Sequence, residues 1–248
     1  MTIRTKLNSK QVALAAVFTA LYAVLGFIKI SPILGLSQQG ITAAAIIAPI
    51  IGLLLDPYVG TLSASLGGVI GFSVGSISPP SLFAGIATAF CAGLIKEKRR
   101  IISVFTYLGL FLLFAFFPTV GPAWLFPLNT WFQIAGLIIL VSPLQRIAAE
   151  NMGSKNNAGM FAGFFLVCLA STLAGQIAGS LIFEVLTPNP AALLGYWQTL
   201  TILYPIERTV IAASATLIVI PLVKALSLGN LLPSTVLFTK PVESERNN

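Results

Sequence analysis

The run TLTILYPIERTVIAASATLIVIPLVKAL, residues 199–226, sets a carboxylate and a guanidinium side by side, Glu207 and Arg208, inside an otherwise apolar stretch. These groups carry different chemistry. A carboxylate at membrane depth can carry a proton or hold an amine, and a guanidinium offers a planar fork of N–H donors suited to carboxylate or phosphate. Only 8% of the chain is charged, and a charge at the bilayer centre costs about 2.5–3.5 kcal/mol on insertion scales. Both groups must therefore face protein, water or each other. Successive helical residues point about 100° apart, so the two are poor partners within one helix, and each is expected to meet a different neighbour. Pro205, which lacks an N–H, frees a backbone carbonyl one turn earlier and adds a polar feature at that depth. The plainer reading is a structural ion pair with partners elsewhere.

Other polar side chains fall at matching depth. Counted along helical rise, Arg208 lies about 15 Å below Gln198, Gln176 about 12 Å below Glu184, and Gln133 about 13 Å below Trp124. Asn129 stands one turn from Gln133 on the same face. Asn129, Gln133, Gln176, Glu207 and Arg208 are thus expected to converge, with Tyr204, Trp124, Trp131, Tyr196 and Trp197 as aromatic surface at or above that level. A few polar groups among aromatics suit a small-molecule pocket. Asn129 and Gln133 could equally bond across helices, and Trp124 and Trp197 could be interface anchors.

Metal and acid–base chemistry find little support. Histidine is absent, and the two cysteines, Cys91 and Cys168, lie in apolar stretches as small core residues. No catalytic set, metal site or cofactor is expected, and a membrane-embedded enzyme is the weakest reading, because a single buried Glu lacks a partner acid or base.

The elements that must position these residues follow from composition. Of 248 residues 56% are hydrophobic, whereas a soluble domain carries about 25% charged residues. The expected fold is an all-α integral membrane protein, a polytopic bundle in the cell membrane. Long continuous apolar runs argue against alternating barrel strands. Candidate spans are 11–30, 40–55, 58–75, 81–95, 101–118, 124–146, 158–183 and 198–224, about eight, with six or seven if the short ones merge. SPILGLSQQG, DPYVG, SISPPS, PTVGP and TPNP separate them. The net charge of +7 is read as orientation rather than nucleic-acid binding. With eight spans, one side holds Arg4, Lys6, Lys10, the KEKRR cluster at 96–100, Arg146, Lys155, Lys224, Lys240 and Arg246, and the other only Lys29. Both termini are therefore expected in the cytoplasm. Residues 1–228 form one transmembrane domain and 229–248 a polar cytoplasmic tail. No P-loop is present, so nucleotide-driven work would fall to a partner.

Small residues recur at four-residue spacing: Ser63, Gly67, Gly71 and Gly75; Gly60, Ala64 and Gly68; Gly85, Ala89 and Gly93; Ala170, Ala174 and Ala178 beside Gly175 and Gly179. Such rows let helix backbones approach closely in lipid.

Residues 10–100 resemble the substrate-binding S component of energy-coupling factor (ECF) transporters. The likeness rests on the basic N-terminus with Ala16 and Ala20 four apart, the loop at 31–40, the run IIGLLLDPYVGTLSASLGGVIG, and the Pro/Ser turn leading to a span that ends in AGLIKEKRR. Family members usually have six helices, and Gly often stands where this chain has Asp56. The resemblance implies a subunit that binds a vitamin or similar micronutrient near the outer face and docks through Ala16 and Ala20 on a membrane-embedded T component coupled to two ATPases. It also implies a lid role for Gln38 and Gln39, which are otherwise read as solvated. The expected function is a non-enzymatic solute-binding subunit for uptake, its partners a small molecule, membrane lipid and those subunits, with no nucleic acid. The alternative is an autonomous secondary transporter with Glu207 as its proton site. Arg208 suits an anion and Glu207 an amine, so the ligand stays open.

Overall fold

The computed structural model describes residues 9–35, 39–229 and 231. Arg4, Lys6, Gln38, Lys240 and Arg246, and the tail beyond Gly229 apart from Leu231, lie outside them.

Turn chemistry sets the helix starts. After α1 (Ser9–Leu25) a hairpin of β1 (Lys29–Pro32) and β2 (Gly40–Thr42) leads to α2 (Ala44–Leu54), α3 (Pro57–Ser73), α4 (Pro79–Lys96) and α5 (Arg100–Ala115). Asp56 caps α3, its carboxylate accepting from the Tyr58 and Val59 amides at 3.0 and 2.8 Å, with Pro57 in the first turn. Ser78 caps α4 ahead of Pro79 and Pro80. The second half runs through α6 (Pro122–Leu125), a 3-10 turn at Pro127–Thr130, α7 (Trp131–Val141), α8 (Leu144–Asn151), α9 (Asn157–Leu186) and α10 (Pro190–Leu228). Asn156 and Asn189 cap the last two.

The chain is an all-α helical protein with one short hairpin. Three helices, α4, α9 and α10, are long and apolar enough to cross a membrane, and the bent pair formed by Pro127–Val141 and α8 could supply a fourth. The remaining expected spans correspond to shorter helices. Large apolar side chains stand exposed along the outer faces, among them Val17 and Val24 on α1 and Ile202, Val210 and Leu217 on α10, a distribution that suits lipid rather than water.

Three spans and one packing row differ from the sequence reading. The first span, expected to reach residue 30, stops at Leu25, because 29–32 pairs antiparallel with 40–42. The sixth, expected as one helix over 124–146, is broken by Pro127 and bends by 73° at the Ser142–Pro143 break. The eighth begins at Pro190 and continues through Pro205 and Pro221 for 39 residues. Gly75 does not belong to a packing row: it lies beyond α3 with φ +75° and nothing near its Cβ position.

The other small residues mark where helices close. A Cβ on Gly175 of α9 would stand 1.9 Å from Thr88 Oγ1 and 2.5 Å from the Ala84 carbonyl of α4. A Cβ on Gly52 of α2 would meet the Ala89 carbonyl at 2.1 Å, and one on Gly67 of α3 the Thr19 carbonyl of α1 at 2.6 Å. The α1–α3 seam is tied further by Thr19 Oγ1 and Ser63 Oγ at 3.0 Å, with Ser63 donating to the Ala15 carbonyl. This seam uses Ala15, Thr19 and Tyr22, leaving Ala16 and Ala20 exposed to one side of it. Helix α2 is only 11 residues, nine of them buried; shielded by neighbours, it has no need of bilayer length. Lys96 Nζ donates to the Leu55 carbonyl at its end (2.8 Å). The basic α4–α5 turn and α8 lie together, Glu150 pairing with Arg146 at 2.8 Å and Lys98 at 3.5 Å.

Candidate functional site

One cavity lies between α1, α2, α4, α9 and α10, with the hairpin across it. The space between these elements comes to about 770 Å³, part of it open to the outside. Helix α10 contributes Leu200, Tyr204 and Arg208, four residues apart and so on one face. Helix α9 contributes Thr172, Gln176 and Ser180 in a second such row, with Gly179 and Phe183 beside it. Opposite stand Ala84, Gly85 and Thr88 of α4, and the hairpin segment adds Pro32, Ile33, Leu34, Ile41 and Thr42.

Arg208 is the one charged residue lining the cavity among the described residues, and it is 6% exposed. Its guanidinium carbon lies 5.4 Å from the Tyr204 ring centroid, a cation–π contact one turn away. Glu207 Oε2 is 3.9 Å from Arg208 Nη2, at the outer limit of an ion pair, and Arg208 Nε has no hydrogen-bond partner among the described residues. Glu207 turns away: its Oε1 accepts from the Ser31 hydroxyl in β1. Glu207 thus meets β1 while Arg208 lines the cavity, although the two stay within ion-pair distance of each other.

Asn129 and Gln133 are buried but line no part of the cavity. With the Gln133 amide oriented to satisfy its neighbours, its nitrogen donates to the Asn129 and Thr130 carbonyls at 2.8 and 3.1 Å, and its oxygen accepts from Gln176 Nε2 at 2.7 Å. Asn129 Oδ1 accepts from Thr201 Oγ1 at 3.4 Å, and the Gln133 carbonyl accepts from Tyr107 at 2.7 Å. Of the six sequence-predicted ligand residues, Gln176, Tyr204 and Arg208 line the cavity, Asn129 and Gln133 brace Gln176 from behind, and Glu207 holds the hairpin. Of the five aromatic residues the sequence suggested, only Tyr204 lines it, where it is joined by Tyr22 and Phe183. Trp197 is fully buried against Phe114 and Phe183, with Nε1 donating to the Val120 carbonyl, whereas Trp124 is 62% exposed.

Sequence reasoning passed over Thr88, Thr172, Ser180 and the hairpin residues. The i, i+4 row of Thr172, Gln176 and Ser180 was the available signal; the hairpin had none, since its contacts are set by tertiary folding. The same row continues to Glu184, fully buried, whose two carboxylate oxygens have no hydrogen-bond partner among the described residues. No cluster of three or more metal-ligating side chains occurs among the described residues. Comparison with family models, curated proteins and solved structures gives no match.

Proposed function

We propose that this chain is a multi-pass cell-membrane protein that binds a small micronutrient for uptake, an S component of the ECF type, without enzymatic activity of its own. The observation that carries the reading is the cavity itself: largely apolar, with one buried cation, and covered by a hairpin tied to the helix that bears that cation. The exposed face of α1 with Ala16 and Ala20 fits the docking role the family resemblance implies, since lipid-facing small residues let a second helix approach. In this reading both termini are cytoplasmic and the hairpin faces outward. The test is solute accumulation in cells expressing this chain with and without T and ATPase subunits. Accumulation that needs those subunits supports the reading, and full accumulation without them overturns it.

A second reading, autonomous proton-coupled transport, gains from Glu184 rather than from Glu207. A fully buried carboxyl group without a partner is costly unless it serves a purpose. In that case uptake collapses with a protonophore and in Glu184→Gln, while ATP depletion at a held proton gradient leaves it intact.

A further inference from the structure

We propose that the cavity selects an amphipathic organic monoanion: a carboxylate on Arg208, an apolar body, and an N–H or O–H donor opposite Gln176. This deepens the solute-binding reading and rests on it.

The charge follows from which side chains reach the cavity. Arg208 lines it and Glu207 does not, because Glu207 is engaged by Ser31. An amine entering the cavity would meet the guanidinium, with Glu207 outside the lining, and is rejected by like charge. The Tyr204 ring covers one side of the guanidinium, and Nε is unpaired. A planar fork held this way matches the two oxygens of a carboxylate. A phosphate dianion needs more positive charge than one arginine with a carboxylate 3.9 Å away supplies.

The body follows from the walls. Leu34, Phe183 and Leu200 offer apolar surface, so a small hydrophilic acid would leave it in contact with water. A plain alkyl acid, such as a lipid-derived fatty acid, fits the charge but not the α9 wall. There Gln176 commits its nitrogen to Gln133, which leaves its oxygen as an acceptor without a partner among the described residues, and Thr172 Oγ1 is likewise unpartnered among them. An acceptor buried opposite an alkyl chain stays unsatisfied, at about 1–3 kcal/mol. A ligand with its own donor satisfies it, and a site built on such a bond rejects analogues that lack the donor.

The test uses the full chain in detergent with indolyl- and arylalkanoates of three to six chain carbons, each beside its methyl ester and matching amine, with N-methylindolyl acids and octanoate as further arms. Thermal shift and calorimetry are the readouts. Indolyl acids should raise Tm, esters and amines should not, and octanoate and the N-methyl acids should bind about ten-fold more weakly. Arg208→Gln should weaken the acids by about 10- to 100-fold, Arg208→Lys, which keeps the charge, by less, and Gln176→Leu should abolish the preference for indole N–H over N-methyl. An amine or ester that matches its acid, or a panel in which no acid binds, overturns the ligand class. An amine or ester that binds leaves the uptake reading standing. Uptake that ignores the ATPase subunits overturns that reading and leaves the ligand class intact. Octanoate equal to the indolyl acids assigns the site to a lipid-derived acid and overturns the donor requirement.

Discussion

The Ser31 hydroxyl donates to the Glu207 carboxylate, joining residues 176 positions apart. This bond ties the hairpin to α10 one residue from the cavity's arginine. Ser31→Ala should lower protection of the hairpin amides about ten-fold, the equivalent of one hydrogen bond to a charged group. Hydrogen exchange at Ile33 and Ala43, both backbone-bonded within the hairpin region, reads this directly; unchanged protection would show that packing alone closes it.

The α4–α9 seam admits no added methyl at Gly175, where a new Cβ would press on the Ala84 backbone and Thr88. Gly175→Ala should cost about 1–3 kcal/mol. Gly109, on α5 with open space at its Cβ position, is the control, and Gly109→Ala should be neutral or slightly stabilising. Equal Tm values for both variants would contradict the packing.

Ala16 and Ala20 face away from the α1–α3 seam. Ala16→Trp and Ala20→Trp should therefore leave Tm and ligand binding of the isolated chain unchanged. Co-purification with a T component should be lost, because the face no longer allows close approach. Assembly at normal yield by both variants would remove this face from docking.

Orientation can be read with single cysteines, since Cys91 and Cys168 are buried. Ser73→Cys and Lys155→Cys both fall at exposed positions. With cytoplasmic termini, an impermeant maleimide added to intact cells should label the first and spare the second. Labelling of both would rule out the eight-span arrangement.

Much of the helical framework was legible because it rests on local chemistry. Asp56–Pro57, Ser78–Pro79 and Asn189–Pro190 read as breaks in the sequence and act as caps in the fold. Gly67 and Gly175 read as close-approach positions, and backbones meet there. Pro205 shows the limit: local rules mark it as a disruption, yet α10 passes through it unbroken, as neighbouring helices allow in membrane proteins. The cavity was half legible. Depth counting brought Gln176 and Arg208 to one level, but rotation about each helix axis decides which side chain faces the void. Gln133 shares that level and looks into the α7–α9 seam instead. The hairpin's place over the cavity depends on a contact between the two ends of the chain, which no short pattern encodes.

Helix α10 is 39 residues long, about 58 Å, against a hydrocarbon thickness of about 30 Å. Spanning a bilayer as proposed, a rod of this length would lean. Arg208 sits roughly midway between Pro190 and Leu228, so it occupies the fulcrum. A change of lean by about 10° would swing each end by about 5 Å, from the rise of a helix of this length, while the arginine barely translates. On the proposed placement the two ends would be geared to each other in opposite directions, so displacement at one end of the helix would reach the other while Arg208 stays near its place.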